Sequence, residues 1–278
     1  MRRIGVLYNP LSEQSINTSL QVSRWLEAQG ITVWRGVSHE GREEPSALDE
    51  LDLLVALGGD GTVLRAAHLA MAKGGNIPVL PVALGHLSFM AELQPDEVYR
   101  GLQILIEGGG WRDERALIDA TIFCDCCAPR YVTALNEIIV GRGELNRVVQ
   151  VEVEIYGAAL TTYLSDGVIV ASATGSTAYA LSAGGPIIDP RSRALALVPL
   201  AAHLTNLPSL VLHEDAVIRL LLRSRHAALF AADGRESIAL HPGDYVEVRR
   251  AQQTLTFARV HPPTAFYTEL TKRLRRES

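Results

Sequence analysis

The chain has 278 residues, room for one large domain or two ordinary ones, and it is 47% apolar and 21% charged, as globular proteins are. A net charge of −5 and few aromatics, without a stacking stripe, argue against nucleic acid or an acidic membrane surface as the main partner. No run of about 18 apolar residues is present, so no membrane span is expected. The opening, Met1 to Tyr8, is too short and too strand-like for a signal peptide. The three cysteines, Cys124, Cys126 and Cys127, form one odd-numbered cluster with no second Cys/His pair. Free thiols in a reducing cytoplasm are expected there, not a zinc site.

Ile4 to Tyr8 reads as a buried strand that ends at Asn9-Pro10. The spacing of Leu20, Val22, Trp25 and Leu26 predicts a helix over Thr18 to Gln29, closed by Gly30. Ile31 to Trp34 is a short strand, and the polar stretch Gly36 to Glu50 a surface loop. Leu51 to Leu57 is an apolar run broken only by Asp52; Gly58-Gly59-Asp60-Gly61-Thr62 follows, then Val63 to Met71 at helical spacing. That is strand, glycine turn, helix. Pro78 to Leu84 predicts another strand, and Pro95 to Ile106 a helix stopped by Gly108-Gly109-Gly110. Alternation of this kind implies a doubly wound, mostly parallel α/β sheet. Such sheets bind ligands at the carboxyl ends of their strands, where the Gly58 turn lies.

After Trp111 strands dominate. Ala116 to Phe123, Val132 to Val140, Val148 to Tyr156, Gly167 to Ala171, Ala194 to Val198, Ala216 to Leu222, Tyr245 to Arg249 and Leu255 to Val260 are predicted. The third alternates cleanly, as a half-exposed antiparallel strand does. Two domains are therefore expected, an α/β domain over 1–112 and an all-β domain over 113–261. The tail 262–278 has room to pack back on the first, and Glu269 to Ser278 reads as a helix with a solvated basic face.

Three stretches carry chemistry. The N-terminus of a helix offers free backbone N–H groups and the positive end of a dipole, which suits a phosphate. Glycines let the backbone approach it. A carboxylate in such a loop repels phosphate unless it serves the acceptor hydroxyl or an accompanying Mg²⁺; otherwise Asp60 only helps to cap the helix. The second stretch runs from Asp166 to Pro186. Its strand leads into a turn dense in small hydroxyl residues, suited to the polar edges of a nucleotide or simply to capping. The third is the pair Asn136-Glu137, able to grip the two hydroxyls of a ribose or to close a strand edge.

Taken together, in this order and spacing, these stretches resemble the NAD kinase family from Gly5 to about Val260. The glycine-aspartate loop is shared with lipid kinases of the diacylglycerol or sphingosine type, whereas the 166–186 block is specific. The resemblance implies an N-terminal doubly wound α/β domain, a C-terminal β-sandwich domain and an active site between them. It implies transfer of the γ-phosphoryl of ATP, or a unit of polyphosphate, to the 2′-hydroxyl of the adenosine ribose of NAD, giving NADP. Mg²⁺ accompanies the donor, with no all-protein metal site expected. A homo-oligomer, dimer or tetramer, is implied, with no nucleic acid and no membrane as partner.

Carried over residue by residue, Asp60 resembles the proton acceptor, with Gly58, Gly59, Gly61 and Thr62 about it and Arg65 one turn on. Asn136, Glu137 and Arg147 match dinucleotide contacts. Asp166 matches the carboxylate near the nicotinamide end. Thr177, Ala178, Tyr179, Ala180, Leu181 and Ser182 match the segment that cradles NAD, and Ala201 a further contact. Asp233-Gly234 resembles a late motif of the family. His203 reads as a hydrogen-bonded structural histidine. The chain also departs from the pattern. Ser88 stands where a glycine is usual, Leu164 replaces a commonly basic residue, and Ser172-Ala173 replaces Thr-Pro. Leu207 precedes Pro208 where an arginine is usual, and Arg235 replaces a glutamine. A lipid kinase or a non-catalytic dinucleotide sensor is the alternative reading.

Overall fold

The structure, a computed structural model, describes residues 1–38, 48–85, 88–124, 127–144, 147–202, 207–235 and 237–274. The chain divides into two compact units, residues 1–114 with 255–278 and residues 115–254.

The first unit is built on β1 (Arg3–Tyr8), α1 (Glu13–Ala28), β2 (Thr32–Val37), β3 (Leu53–Gly58), α2 (Asp60–Ala72), β4 (Val79–Ala83) and α3 (Val98–Ile106). Its strands run β2-β1-β3-β4, all parallel. Phe257, near the end of the long strand Tyr245–Arg259, extends the sheet beside Val79, again parallel. Every residue of β3 and β4 is buried, which is why both read as unbroken apolar runs. The core gathers Ile4, Val6, Leu53, Val55, Leu57, Leu80 and Val82 with Val22 and Leu26 of α1 and Leu102 of α3.

α1 begins five residues before the expected Thr18. Ser12 accepts the Ser15 N–H and caps it, a signal set by local geometry and not by apolar spacing. Ser15 is itself wholly buried; its hydroxyl accepts the Asn9 N–H at 2.9 Å and donates to the Leu57 carbonyl at 2.7 Å. That bond ties the end of β1 and the start of α1 to the end of β3, where the glycine turn begins. The Arg259 guanidinium is buried between two carboxylates, Asp113 at 3.0 Å and Glu92 at 3.1 Å. The other oxygen of Glu92 accepts the N–H groups of Val260 and His261, both at 2.7 Å. A C-terminal helix, Ala265–Leu274, belongs to this unit; residues 275–278 of the expected tail helix, and 39–47 of the expected surface loop, lie outside the described residues.

The second unit is a sandwich of two sheets. Its strands are β5 (Trp111–Cys124, from Arg115 onward), β6 (Cys127–Ala134), β7 (Glu137–Arg142), β8 (Val149–Ile155), β9 (Ala158–Ser165) and β10 (Gly167–Ala171). The four-residue helix α4 (Tyr179–Ser182) follows, then β11 (Leu195–Leu200), β12 (Leu210–Leu212), β13 (Ile218–Leu222), β14 (Ala228–Ala232), β15 (Ile238–Leu240) and β16 (Tyr245–Arg259). One sheet runs β16-β13-β8-β9, with β5 and β6 as an antiparallel pair. The other runs β12-β11-β10-β7-β14-β15, antiparallel throughout. Both contribute to one core, Val151, Val153, Ile218 and Val246 meeting Val140, Val168, Val170 and Phe230. The opposite face of the second sheet is covered as well. Ile169, Ala171, Ala196 and Val198 pack there against Ala173, Ala180 and Ile188. The segment 173–188 is thus a lid on β10, and β10 is apolar on both faces for that reason.

Several expectations need correction. Val132 to Val140 is not one strand: it breaks at Leu135-Asn136, where the backbone N–H groups turn to the Asp233 carboxylate. Tyr245–Arg249 and Leu255–Val260 are one strand of 15 residues, uninterrupted because no glycine or proline falls within it. β9, β12, β14 and β15 were not predicted. Cys124 and Cys127 are bonded to each other, not free; Cys126 lies outside the described residues. Among the described residues, no helix is long and apolar enough to cross a membrane.

Candidate active site

In the first unit, β3 delivers the glycine turn to the start of α2. Gly58 is pressed against the neighbouring turn, since a Cβ there would lie 2.4 Å from Thr62 Oγ1. Gly59 and Gly61 differ, because an added Cβ at either would meet only open space. Their lack of side chains leaves the helix N-terminus open to a ligand. Gly59 is the N-cap and supplies no side-chain bond; Asp60 is the first helical residue and is exposed. Its Oδ1 accepts the hydroxyl of Ser88, so the carboxylate is engaged with another loop rather than spent on capping. Thr62 is buried, and Arg65 stands half-exposed on the same helix.

In the second unit, Asn136 and Glu137 are 8% and 7% exposed. Asp233, from the turn after β14, holds them: its carboxylate accepts the N–H groups of Leu135 at 2.8 Å, Asn136 at 2.7 Å and Glu137 at 3.2 Å. Asp233 and Gly234 both take left-handed backbone, φ 50° and 66°, which aims that carboxylate back at β7. The turn after β10 lies hard against the same backbone. A Cβ at Gly175 would sit 1.9 Å from the Asn136 carbonyl oxygen. Ser172 donates its N–H to that oxygen at 2.8 Å and its hydroxyl to Leu135 O at 2.5 Å. Arg115 reaches Thr174 Oγ1 at 3.1 Å beneath the turn.

Glu137 carries the main electrostatic signal. Burial pushes its carboxyl up to about 7 from 4.5; the Asp233 charge adds to this, and a hydrogen bond from the Tyr179 backbone N–H opposes it. Among the described residues, its Oε2 has no hydrogen-bond partner. An acceptor buried without a partner costs free energy unless a ligand supplies the donor.

The predicted residues of this unit fall into two groups. Ala171 pairs with Glu137 and Gly167 with both Gly141 and Leu200, so opposite ends of β10 are about 13 Å apart at the usual strand rise. At one end lie Asn136, Glu137 and the segment Thr177 to Ser182. Thr177 donates to Thr174 O at 3.1 Å, Ala178 is half-buried, Tyr179 is 47% exposed, and Leu181 and Ser182 are half-buried and exposed. Ala180 faces the core beneath and is wholly buried. At the other end lie Asp166, 3.1 Å from Arg142, and Ala201, which follows Leu200 with φ 45°. Arg147 is at that end too, with Glu144 at 3.1 Å and His226 at 2.6 Å. His203 lies outside the described residues.

Sequence reasoning passed over Ser88, Ser172 and Gly175 as site residues and left Asp233 at the margin. Asp233-Gly234, a dipeptide suited to left-handed backbone, was the one readable signal. Among the described residues, no group of three or more His, Cys, Asp and Glu is placed to hold a metal ion. One exposed carboxylate beside an open helix N-terminus fits a Mg²⁺ carried mainly by donor phosphates and water.

Comparison with known proteins follows the same division. Residues 40–110 match the ATP-NAD kinase N-terminal domain and residues 135–260 the ATP-NAD kinase C-terminal domain. An NAD kinase of Chloroflexus aurantiacus is 58% identical over 276 residues, 99% of each chain. One of Dehalococcoides mccartyi is 35% identical over 99% of this chain and 96% of its own. Yeast NADH kinase complexed with NADH superposes with a TM-score of 0.89 at 23% identity, covering 100% of this chain and 89% of that one. An NAD kinase from Archaeoglobus fulgidus in complex with ATP gives 0.78 at 22% identity, covering 98% of each. At that identity the two structures establish the fold, an α/β unit joined to a β-sandwich.

Proposed function

The chain belongs to the NAD kinase family, and from that premise we propose how its own residues phosphorylate NAD. The reaction passes a phosphoryl group from ATP to NAD. The acceptor is the 2′-hydroxyl of the adenosine ribose. Its oxygen attacks the γ-phosphorus, the bond to the β-phosphate oxygen breaks, ADP leaves, and the hydroxyl proton passes to Asp60.

Asp60 carries this reading. It is an exposed carboxylate on the first residue of a helix whose flanking glycines face open space. Phosphoryl transfer is loose, with little bonding to the nucleophile early on, so Asp60 needs only to orient the hydroxyl and take its proton late. Such help is worth about 10²–10⁴-fold. The N-terminus of α2 and Arg65 offset phosphate charge. Mg²⁺, when bound with the donor, neutralises the charge that develops on the phosphate oxygens.

The second unit holds NAD through Asn136, Glu137 and the segment 177–182. The partnerless Oε2 of Glu137 is the acceptor that a ribose hydroxyl satisfies. Asp166, Arg147 and Ala201 belong to the far end of β10 and contact a more distant part of the dinucleotide. A homo-oligomer is part of this reading, and light scattering tests it. A cytoplasmic location is part of the same reading.

The deciding experiment mixes the protein with Mg-ATP and NAD and reads NADP through a coupled dehydrogenase, with polyphosphate and NADH in parallel arms. Asp60→Asn is expected to lose about 10²–10⁴-fold in kcat with the fold intact. Near-normal kcat in that variant removes Asp60 from the proton-accepting role.

A further inference from the structure

Ser88 is 4% exposed and sits at the start of the short loop that leads to Leu93. Its Oγ accepts two backbone N–H groups, from Met90 at 3.0 Å and Ala91 at 3.1 Å. A hydroxyl has two acceptor lone pairs and one proton to give. Both lone pairs are taken, and the proton goes to Asp60 Oδ1. The hydroxyl rotor is therefore fixed, and it points at the carboxylate.

The donors that fix it are held in turn. Arg259 Nη1 donates to Met90 O at 3.0 Å and contacts Glu92 at 3.1 Å. Arg259 also binds Asp113, and Glu92 takes the N–H groups of Val260 and His261. Leu93 O accepts the Ala83 N–H at 2.9 Å, which closes the loop onto the end of β4. A continuous set of bonds thus runs from a buried guanidinium through the 88–93 loop to one oxygen of Asp60.

An exposed aspartate without such a partner samples several rotamers and turns its two oxygens freely. We infer that Ser88 is a positioning residue for phosphoryl transfer: it holds one oxygen of Asp60 and leaves the other to receive the ribose hydroxyl. The inference rests on the reading of Asp60 as the proton acceptor. Asp60 is thereby pre-oriented by the 88–93 loop.

A double-mutant cycle tests this. Ser88→Ala, Asp60→Asn and the double variant are measured for kcat and KM, the slow ones by single turnover with enzyme in excess. Ser88→Ala should lower kcat about 10-fold with both KM values unchanged, the scale of one hydrogen bond to a charged group. In the Asp60→Asn background the same change should do nothing more. Ser88→Thr and Ser88→Val, matched in shape, separate the hydroxyl from packing: threonine should keep most of the wild-type kcat, and valine should fall with alanine. An equal loss from Ser88→Ala with and without Asp60 overturns the inference, because the serine then acts on the fold alone. So does normal kcat in Ser88→Ala, or equal kcat in the threonine and valine variants. Near-normal kcat in Asp60→Asn is a different result: it overturns the parent reading of Asp60.

Discussion

The carboxylate of Asp233 receives the backbone N–H of Asn136 at 2.7 Å, across 97 residues of chain. The same group takes the N–H of Leu135 and of Glu137, so one side chain satisfies the backbone where two strands part. Bonds to an ionised acceptor are stronger than neutral ones, and the site is buried. Asp233→Ala leaves three N–H groups without a partner and should destabilise the protein by about 3 kcal/mol or more. Asp233→Asn keeps the left-handed backbone but loses the charge and one acceptor oxygen, so its loss should be smaller. Urea titration of both variants checks the order; equal stability in Asp233→Ala and wild type would show that solvent replaces the carboxylate.

Glu137 makes stability depend on pH. Its carboxyl stands at about 7 in the fold against 4.5 in an open chain, so the native state binds the extra proton between those values. Stability must then fall as pH rises through that window. The contribution is full below 4.5, is lost by about 7 and is flat above it, about 3 kcal/mol across the window. Glu137→Gln cannot titrate and should show a flatter curve there, read by thermal melting at stepped pH.

The same group makes NAD binding depend on pH in the opposite sense. Ribose hydroxyls donate to an ionised carboxylate, so binding favours the deprotonated form. NAD affinity should rise with pH up to about 7 and level off above it. Calorimetry from pH 5.5 to pH 8.5 checks this, with Glu137→Gln weak and flat throughout. A wild-type affinity that does not change over that range would place the ribose elsewhere.

The ion cluster of the first unit gives a stability prediction of another kind. Arg259 is buried between Asp113 and Glu92, whose side chains are 3% and 7% exposed. Arg259→Met removes the cation between two buried carboxylates and should cost about 3–5 kcal/mol. Arg259→Lys keeps the charge but not the fork that spans both partners, and should lie between. Denaturant midpoints give the ranking. A methionine variant as stable as wild type would mean that the two acids take up protons without cost.

The elements that position the glycine turn were legible because burial writes itself into composition. β3 and β4 are covered on both faces and read as Leu-Leu-Val-Ala-Leu-Gly and Val-Leu-Pro-Val-Ala. The glycines after β3 announce the turn. What stayed hidden depends on distant partners. Nothing local marks the break at Leu135, since its cause, Asp233, lies 98 residues away. Ser88 looks like an ordinary loop serine until Asp60 is found at its hydroxyl, 28 residues upstream. β9 escaped because Ala-Ala-Leu-Thr-Thr-Tyr-Leu-Ser is exposed over much of its length and carries little apolar alternation. The two apparent strands at 245–260 hid their continuity behind Arg250 to Thr254, a polar stretch that keeps extended backbone.

Ala178 offers the cleanest test of where NAD binds. It precedes α4, is half-buried, and stands next to Tyr179, whose N–H holds Glu137. Alanine already carries a Cβ at this φ of −97° and ψ of −128°, and leucine adds no β-branch, so the change asks nothing new of the backbone. Ala180, two residues on, is core and would not tolerate the same change. Ala178→Leu should therefore melt close to wild type while its bulk intrudes on the segment assigned to the dinucleotide. NAD affinity should fall at least about 100-fold, as a site loses when its space is filled. ATP binding to the first unit should be unchanged, because the glycine turn before α2 is untouched. Normal NAD affinity in a well-folded Ala178→Leu would move the dinucleotide off the segment 177–182. If that variant melts early, Ala178→Ser supplies the control: it keeps the size of the site and should bind NAD normally.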